Sequence, residues 1–347
     1  MYLPKEETMR VLLIGGTGLI STAITRLLLE QGKHDVILYN RNKTELRLPA
    51  PVKTIAGDRT NFPQFEEQMA AAGNFDCVID MCCYLPAEAA SAIRALRGRV
   101  GQYIFTSTVD VYSKPAAHYP ITEAAARNPS PTFAYAYEKA KCEALILAAH
   151  SNDFPITIIR PAYTYGESRG ILHSFRGRTT YIDRIRKGKP IVVHGDGQSL
   201  WGSCHIDDVA RAFVHAVGNP ITHGRAYHVT GEEWLTWNQH HQQVAEALGA
   251  PPPTLIHIPS TLLAKAAPDL AAWSEFNFQY NNIFDNSAAH RDLDFRYTIP
   301  WKEGVRRTVA WLDAHDGVED SANEAEYDRL IAAWQQASED MVQALAE

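Results

Sequence analysis

A doubly wound parallel sheet of the α/β class, with a smaller second domain interleaved after it, is the architecture this sequence predicts. Three observations carry the expectation. Short, fully apolar runs alternate with stretches of helical period through the first two-thirds of the chain. A Gly-Gly-Thr-Gly run stands directly after the first apolar run. Past Pro161 the alternation breaks into shorter, mixed segments. Apolar strands separated by helices imply a parallel sheet covered on both faces, and right-handed crossovers then wind it doubly.

The elements follow in order. Arg10–Ile14 is the first strand, and 20–31 has helical spacing that stops at Gly32. Asp35–Asn40 and 52–56 read as the second and third strands, with Phe62–Ala72 as a helix. The fourth strand is 76–81, followed by a helix through Leu96. Residues 102–106 form the fifth strand, 133–150 a long helix and 156–160 the sixth strand. The stretch 166–177 is a Gly-, Arg- and Ser-rich loop; 180–187 is helical and Ile191–His194 a strand. Residues 207–217 form a helix with Asp207 at or near its N-cap, and 226–230 a last strand. Helices at 237–248, 259–266 and 324–346 complete the chain. No repeat or low-complexity linker separates two halves. The expected division is 1–165, with 195–230 returning to it, against 166–194 and 231–347.

Composition narrows the function. The chain has 347 residues, 46% hydrophobic and 21% charged, enough for a sizeable core and unlike a disordered chain. A formal charge of -7 gives no basic footprint for nucleic acid or an acidic membrane surface. No apolar run reaches the ~18 residues of a membrane span. The first ten residues lack the apolar core of a secretion signal. Five cysteines with no CxxC pair point to reduced thiols in a cytoplasm. The adjacent Cys82 and Cys83 do not match zinc spacing, so no metal is expected.

Gly15, Gly16 and Gly18 open the first helix directly after the first strand. Such a turn brings backbone N–H groups and the positive end of a helix up to a pyrophosphate. Ser21 stands where a third glycine would fall, and is small enough for close helix–strand packing. The second strand ends at Asn40-Arg41, where a cofactor without a 2′-phosphate usually meets an acidic residue. Asn removes charge repulsion and Arg can pair with phosphate, so NADP is favoured, with NAD possible. Asp58, after the third strand, is placed to bond an adenine amino group.

Tyr135 and Lys139 lie at i and i+4 on one helix face, where an ammonium would stabilise the phenolate and lower the pKa of the phenol. The phenol could then act as acid or base near neutral pH. Tyr137 and Lys141 form a second, overlapping pair, and spacing alone does not choose between them.

Several blocks together resemble the short-chain dehydrogenase/reductase superfamily, in its extended epimerase/dehydratase branch. They are GGTGLIS, FTSTVDVYS, YAYEKAKCE, RPAYTYG, GDG and HIDDVARAF, in the family's order over about two-thirds of the chain. The resemblance implies a Rossmann domain and a Thr108–Tyr135–Lys139 triad. Thr108 would bond the substrate oxygen, Tyr135 would move the proton, and Lys139 would hold the nicotinamide ribose. Asp110 falls where dehydratases and decarboxylases of this branch often carry an acid, and joins the catalytic candidates. The implied cofactor-binding set is Gly15, Gly16, Thr17, Gly18, Leu19, Ile20, Asn40, Arg41, Asp58, Arg59, Ser107, Tyr135, Lys139 and Pro161. A homodimer is the family default.

The pattern departs from the sugar-nucleotide enzymes of that branch. Tyr163 replaces an Asn, and Trp201 replaces a diphosphate-binding Arg. Arg169, Arg176 and Arg178 could compensate. The expected substrate-binding residues are Tyr163, Arg169, Trp201 and His205, around a flatter or less charged substrate. VIDMCCYLP, ALRGRVGQYIF and YPITEAA resemble an atypical subgroup that includes epimerase/dehydratase-like, isoflavone-reductase-like and chloroplast stem-loop RNA-binding proteins. The expected activity is hydride transfer at a secondary alcohol or ketone, as epimerase, dehydratase or reductase, possibly on a sugar or sugar nucleotide. The alternatives are an NADP-dependent carbonyl reductase of a small or aromatic metabolite, or a non-catalytic dinucleotide-sensing or RNA-binding protein. The partner is a small molecule, with no nucleic acid and no membrane. His240 and His241 read as surface residues of a helix. Trp234, Trp237, Trp273 and Trp301 read as core or pocket wall.

Overall fold

The computed structural model describes residues 8–43, 48–175 and 178–346. Residues 1–7, with most of the N-terminal decapeptide, and Arg176 lie outside that description. The chain divides into two compact units. One comprises Met1–Thr164, Cys204–Glu232 and Phe284–Thr298; the other comprises Tyr165–Ser203, Glu233–Ile283 and Ile299–Glu347. The return to the first unit therefore begins at Cys204 rather than 195. A third piece, Phe284–Thr298, joins it through contacts the sequence does not announce. Ile121 bridges Phe284, and Asp208 accepts from Thr298 N at 2.8 Å.

The first unit is built on β1 (Arg10–Ile14), β2 (Asp35–Asn40), β3 (Lys53–Ala56), β4 (Cys77–Asp80), β5 (Tyr103–Thr106) and β6 (Ile156–Pro161). The strand Arg225–Val229 pairs with β6. All seven strands are parallel, in the order β3-β2-β1-β4-β5-β6 and then Arg225–Val229. Side chains on a strand alternate between faces, so a strand covered on both sides must be apolar throughout. Val11 and Leu13 accordingly join one core with Ala23, Ile24, Leu28 and Phe213. Leu12 and Ile14 join the other with Phe65, Met69, Ala92 and Ile146. The helices that cover these faces include α1 (Leu19–Gln31), α2 (Phe62–Ala72), α3 (Pro86–Leu96) and α4 (Ala134–Ala149). Asn61 caps α2 by accepting from Gln64 N, and Pro86 starts α3, where a missing N–H costs nothing. The strand order reverses direction between β1 and β4, and this places a crevice at their C-terminal ends.

In the second unit Ile191–His194 pairs in parallel with Leu255–Ile258, and Leu200–Trp201 in antiparallel with Leu235–Thr236. Its core gathers Phe175, Val192, Ile258, Leu263, Tyr327 and Ile331. The Tyr327 hydroxyl accepts from Val192 N at 2.8 Å, which anchors the helix Ala325–Ala346. Trp237 and Trp301 are buried, whereas Trp234 and Trp273 are exposed. His240 and His241 are buried as well, against the surface reading. His240 stacks on Trp301 with centroids 4.1 Å apart, and His241 Nδ1 shares a hydrogen bond of 2.6 Å with the Tyr181 hydroxyl. Aromatic neighbours from other elements absorb two polar rings that helical period alone assigns to solvent. No helix among the described residues is long and apolar enough to cross a membrane.

Candidate active site

The glycine turn sits at the reversal point of the sheet. Gly15 has φ +82°, and a Cβ there would overlap the Cys82 thiol. Gly16 packs on Leu38, and Gly18 is the N-cap of α1. Ser21 does more than fit in the space of a third glycine. Its hydroxyl accepts from Gly18 N and donates to Gly15 O, both at 2.7 Å, and so laces the turn. The first turn of α1, which includes Leu19 and Ile20, carries no acidic residue, so its positive dipole end remains open to an anion. Thr17 lies within the same turn. These features fit a pyrophosphate.

Asn40 ends β2 nearly buried, and its side-chain oxygen accepts from Asn42 N at 2.8 Å. It shapes the loop that exposes Arg41. Asp58 accepts from Thr60 N at 2.9 Å and from the Thr60 hydroxyl at 2.7 Å. Those bonds hold its carboxyl below the usual range, with Arg41 and Lys43 adding to the effect. Arg59 points inward. It donates to Glu88 O at 2.6 Å, lies 3.5 Å from Asp80 and covers the Phe65 ring at 4.1 Å. Its guanidinium is buried.

The overlapping tyrosine–lysine pairs separate on α4. Lys139 is 2% exposed. Lys141 is exposed and pairs with Glu138 at 3.1 Å. The Lys139 ammonium donates to Cys83 O at 2.8 Å and Thr106 O at 2.6 Å, and lies over the Tyr84 and Phe105 rings. Burial lowers its pKa. Tyr135 is 37% exposed as a residue, and Thr108, Asp110 and Tyr84 act on its phenol. Burial is the main force on this phenol, and it raises the pKa. Asp110 raises it further, and a hydrogen bond with Thr108 offsets part of the rise. In this arrangement the ammonium is committed to two main-chain carbonyls.

Thr108 starts the short 3-10 turn Val109–Val111. Its hydroxyl donates to Asp110 Oδ2 at 2.9 Å and accepts from Asp110 N at 3.2 Å. Below this turn lies a buried network. Glu143 grips Arg160 through two bonds of 2.8 Å, and Arg160 donates to the Tyr112 hydroxyl at 2.6 Å. Tyr112 in turn meets His228 Nε2 at 2.5 Å, while His228 Nδ1 donates to Asp285 O at 3.0 Å. That second bond fixes the tautomer, so Nε2 accepts from Tyr112. Arg160 thus ties α4 to the turn that presents Thr108. Tyr112, just after the 3-10 turn, and His228, on the strand Arg225–Val229, are brought together only by the fold, and no local pattern in the sequence links them to Glu143 and Arg160. Ser107 is buried at the end of β5 and Pro161 closes β6.

The four substrate candidates fall in both units. Tyr163, in the first, is half-buried, and its carbonyl accepts from Cys204 N at 3.1 Å. His205, also in the first, is buried and caps the helix Ile206–Ala216 by accepting from Asp207 N at 3.2 Å. The cap is therefore His205 and not Asp207. In the second unit Arg169 is exposed and Arg178 lies 3.8 Å from Glu324. Trp201 is buried against Trp237 and Phe278, which makes it a core residue of that unit.

Comparison with known proteins gives a family and a fold. The model of the NAD dependent epimerase/dehydratase family matches residues 11–230. The 2′-dehydrokanamycin reductase of Streptomyces kanamyceticus is 26% identical over 330 residues, 95% of this chain and 92% of that protein. The chloroplast stem-loop binding protein of 41 kDa b of Arabidopsis thaliana is 27% identical over 339 residues, 93% of this chain and 81% of that protein. Among solved structures, UDP-glucuronic acid 4-epimerase of Bacillus cereus, in complex with NAD, superposes with a TM-score of 0.69 at 17% identity. The match covers 88% of this chain and 99% of that one.

Proposed function

The chain belongs to the NAD dependent epimerase/dehydratase family, an extended short-chain dehydrogenase/reductase group of enzymes, and from that premise we propose that it reduces a ketone, or oxidises the matching secondary alcohol, on a polyhydroxylated substrate. A bound nicotinamide supplies or takes the hydride. The chain's own residues do the rest. The glycine turn and the N-terminus of α1 would receive the pyrophosphate, and Thr108 and Tyr135 would face the reacting oxygen. Tyr135 gives its proton to the oxygen as the carbonyl becomes an alcohol, and Thr108 orients that oxygen. The observation that carries this reading is the Thr108–Asp110–Tyr135 group, held against α4 by Arg160.

The substrate class rests on two features. Trp201 fills a core position where an arginine would grip a diphosphate, which favours a substrate that is not a sugar nucleotide. The similarity to a reductase named for a dehydrokanamycin supports a keto-sugar or related cyclic polyol. NADP is the favoured cofactor because Arg41 is exposed beyond Asn40. Asp58 tempers that preference, since its carboxylate shares the Arg41 field. A cytoplasmic homodimer without metal completes the reading.

The likeness to a stem-loop binding protein brings a second reading, an RNA-binding protein that uses the dinucleotide as a sensor. A formal charge of -7 runs against it, because phosphate contacts are made by Lys and Arg. Calorimetric titration with NADPH and NAD+, followed by turnover with a panel of keto-sugars, tests the proposal. Absence of dinucleotide binding would refute it. Salt-sensitive RNA binding unaffected by Tyr135→Phe would favour the second reading.

A further inference from the structure

The Gly195-Asp196-Gly197 turn takes no part in the chemistry above, and it borders a cleft of about 530 Å³. Gly195, Asp196, Asn238, His257, Pro259 and Trp334 line the cleft, and all six belong to the second unit. They come from the turn after the strand Ile191–His194, the helix Trp237–Ala247, the strand Leu255–Ile258 with the residue after it, and the helix Ala325–Ala346. A cavity of this size holds a small organic molecule.

The polar wall is organised by Asn238. Its Nδ2 donates to Asp196 O at 3.1 Å, its Oδ1 accepts from His257 Nε2 at 2.9 Å, and its main-chain N–H donates to Gly197 O at 3.1 Å. Gly197 has φ +70°, and a Cβ there would overlap the Asn238 amide, so the turn needs glycine for that amide to reach it. With Nε2 as the donor, Nδ1 of a neutral imidazole is an acceptor. Asp196 is exposed, and its Oδ1 accepts from Gln198 N at 2.9 Å. Trp334 is half-buried, packs on the apolar core of the unit and also lines the cleft.

The charged group that the cleft offers is a carboxylate, beside an imidazole acceptor and an indole. None of its lining side chains, among the described residues, is a lysine or arginine. A carboxylate next to an indole face favours a cation that brings hydrogen-bond donors. We propose that this cleft binds a protonated amine on a hydroxylated ring, an aminosugar in chemical class. The ammonium pairs with Asp196, a ring hydroxyl donates to His257 Nδ1, and the ring lies on Trp334. Asn238 is a positioning residue that holds both the turn and the imidazole. An anionic ligand would meet the Asp196 charge with no cation to receive it. The site does not depend on the role of Tyr135.

The test uses the intact protein without dinucleotide, so its outcome is separate from that of the redox reading. Ligand-observed NMR titration at neutral pH compares D-glucosamine, which carries an ammonium, with D-glucose and N-acetyl-D-glucosamine, which keep the ring and lack the charge. Glucosamine is expected to bind at one site in the millimolar range, about tenfold or more tighter than either neutral sugar, the worth of one hydrogen bond to a charged group. Asp196→Asn, at an exposed position, is expected to bring glucosamine down to the affinity of glucose. Trp334→Leu, which keeps an apolar side chain against the core, is expected to weaken glucosamine about five- to tenfold. Trp234→Leu, exposed in the same unit and outside the cleft, is expected to bind as wild type. Equal affinity for glucosamine and glucose, no binding of glucosamine by the wild-type protein, or wild-type affinity in Asp196→Asn overturns the proposal. So does binding that Trp334→Leu leaves unchanged.

Discussion

Acidification is expected to unfold this protein through its buried histidines, and the size of the effect follows from the structure. His194 and His240 are 1% exposed, and burial pushes both down to about 4; His228, fully buried, falls to about 3. Each is neutral in the folded state. His240 Nε2 donates to Leu172 O at 2.9 Å, and His194 Nε2 donates to Phe278 O at 3.0 Å. An unfolded histidine titrates near ~6.5. The folded pKa is the lower one, so the unfolded chain binds protons first. The stability is fully present above about pH 6.5 and is lost as pH falls towards the folded values. With about 1.36 kcal/mol per pKa unit, a histidine at about 4 loses about 2.5 kcal/mol between about pH 7.5 and about pH 4.5. His194, His240 and His228 together lose about 8 kcal/mol, comparable to a total stability of about 5–15 kcal/mol. Urea unfolding followed by fluorescence of Trp237 and Trp301 should show a midpoint falling steeply below about pH 6. In His240→Gln, which keeps a donor for Leu172 O, the loss over that range should shrink by about 2.5 kcal/mol. A wild-type midpoint that is flat to about pH 5, or a His240→Gln profile parallel to the wild type, would refute the reasoning.

Four further outcomes are expected. Tyr135→Phe should abolish reduction, by a factor on the order of 100 or more, with dinucleotide affinity unchanged; Tyr137→Phe should keep turnover. Arg41→Ala should weaken NADPH by about 1.5–3 kcal/mol, the worth of a hydrogen bond to a charged group, and leave NADH nearly unaffected in calorimetry. Glu143→Gln should cost about 3–5 kcal/mol in denaturant unfolding, because it breaks the buried pair with Arg160 and leaves the guanidinium charge uncompensated. Gly15→Ala should destabilise the fold by about 1–3 kcal/mol, since φ is +82° and the new methyl would overlap Cys82; a midpoint equal to wild type would contradict that packing.

Some of this molecule was written in the local pattern of the chain. Val11–Ile14 alternate between two cores because a central parallel strand has no face to spare for water, so apolar runs marked the central strands of the main sheet, whereas the edge strands Lys53–Ala56 and Arg225–Val229 carry polar residues. The glycines of the first turn were equally legible, since a positive φ and a thiol against Gly15 leave no choice of residue. Tyr135 and Lys139 could be placed on one helix face by spacing, but spacing offered Tyr137 and Lys141 the same standing. Burial tells the two lysines apart, and it depends on β4 and β5 arriving against one side of α4. The partners of Lys139 are main-chain carbonyls at Cys83 and Thr106, and a carbonyl has no letter in a sequence. His240 and His241 show the same boundary. Helical period puts a polar pair outside, and rings from Tyr181 and Trp301, far along the chain, bring it in. Periodicity reports which face a side chain shares with its neighbours. Only the meeting of distant elements decides what covers that face, and hence which charges a proton feels.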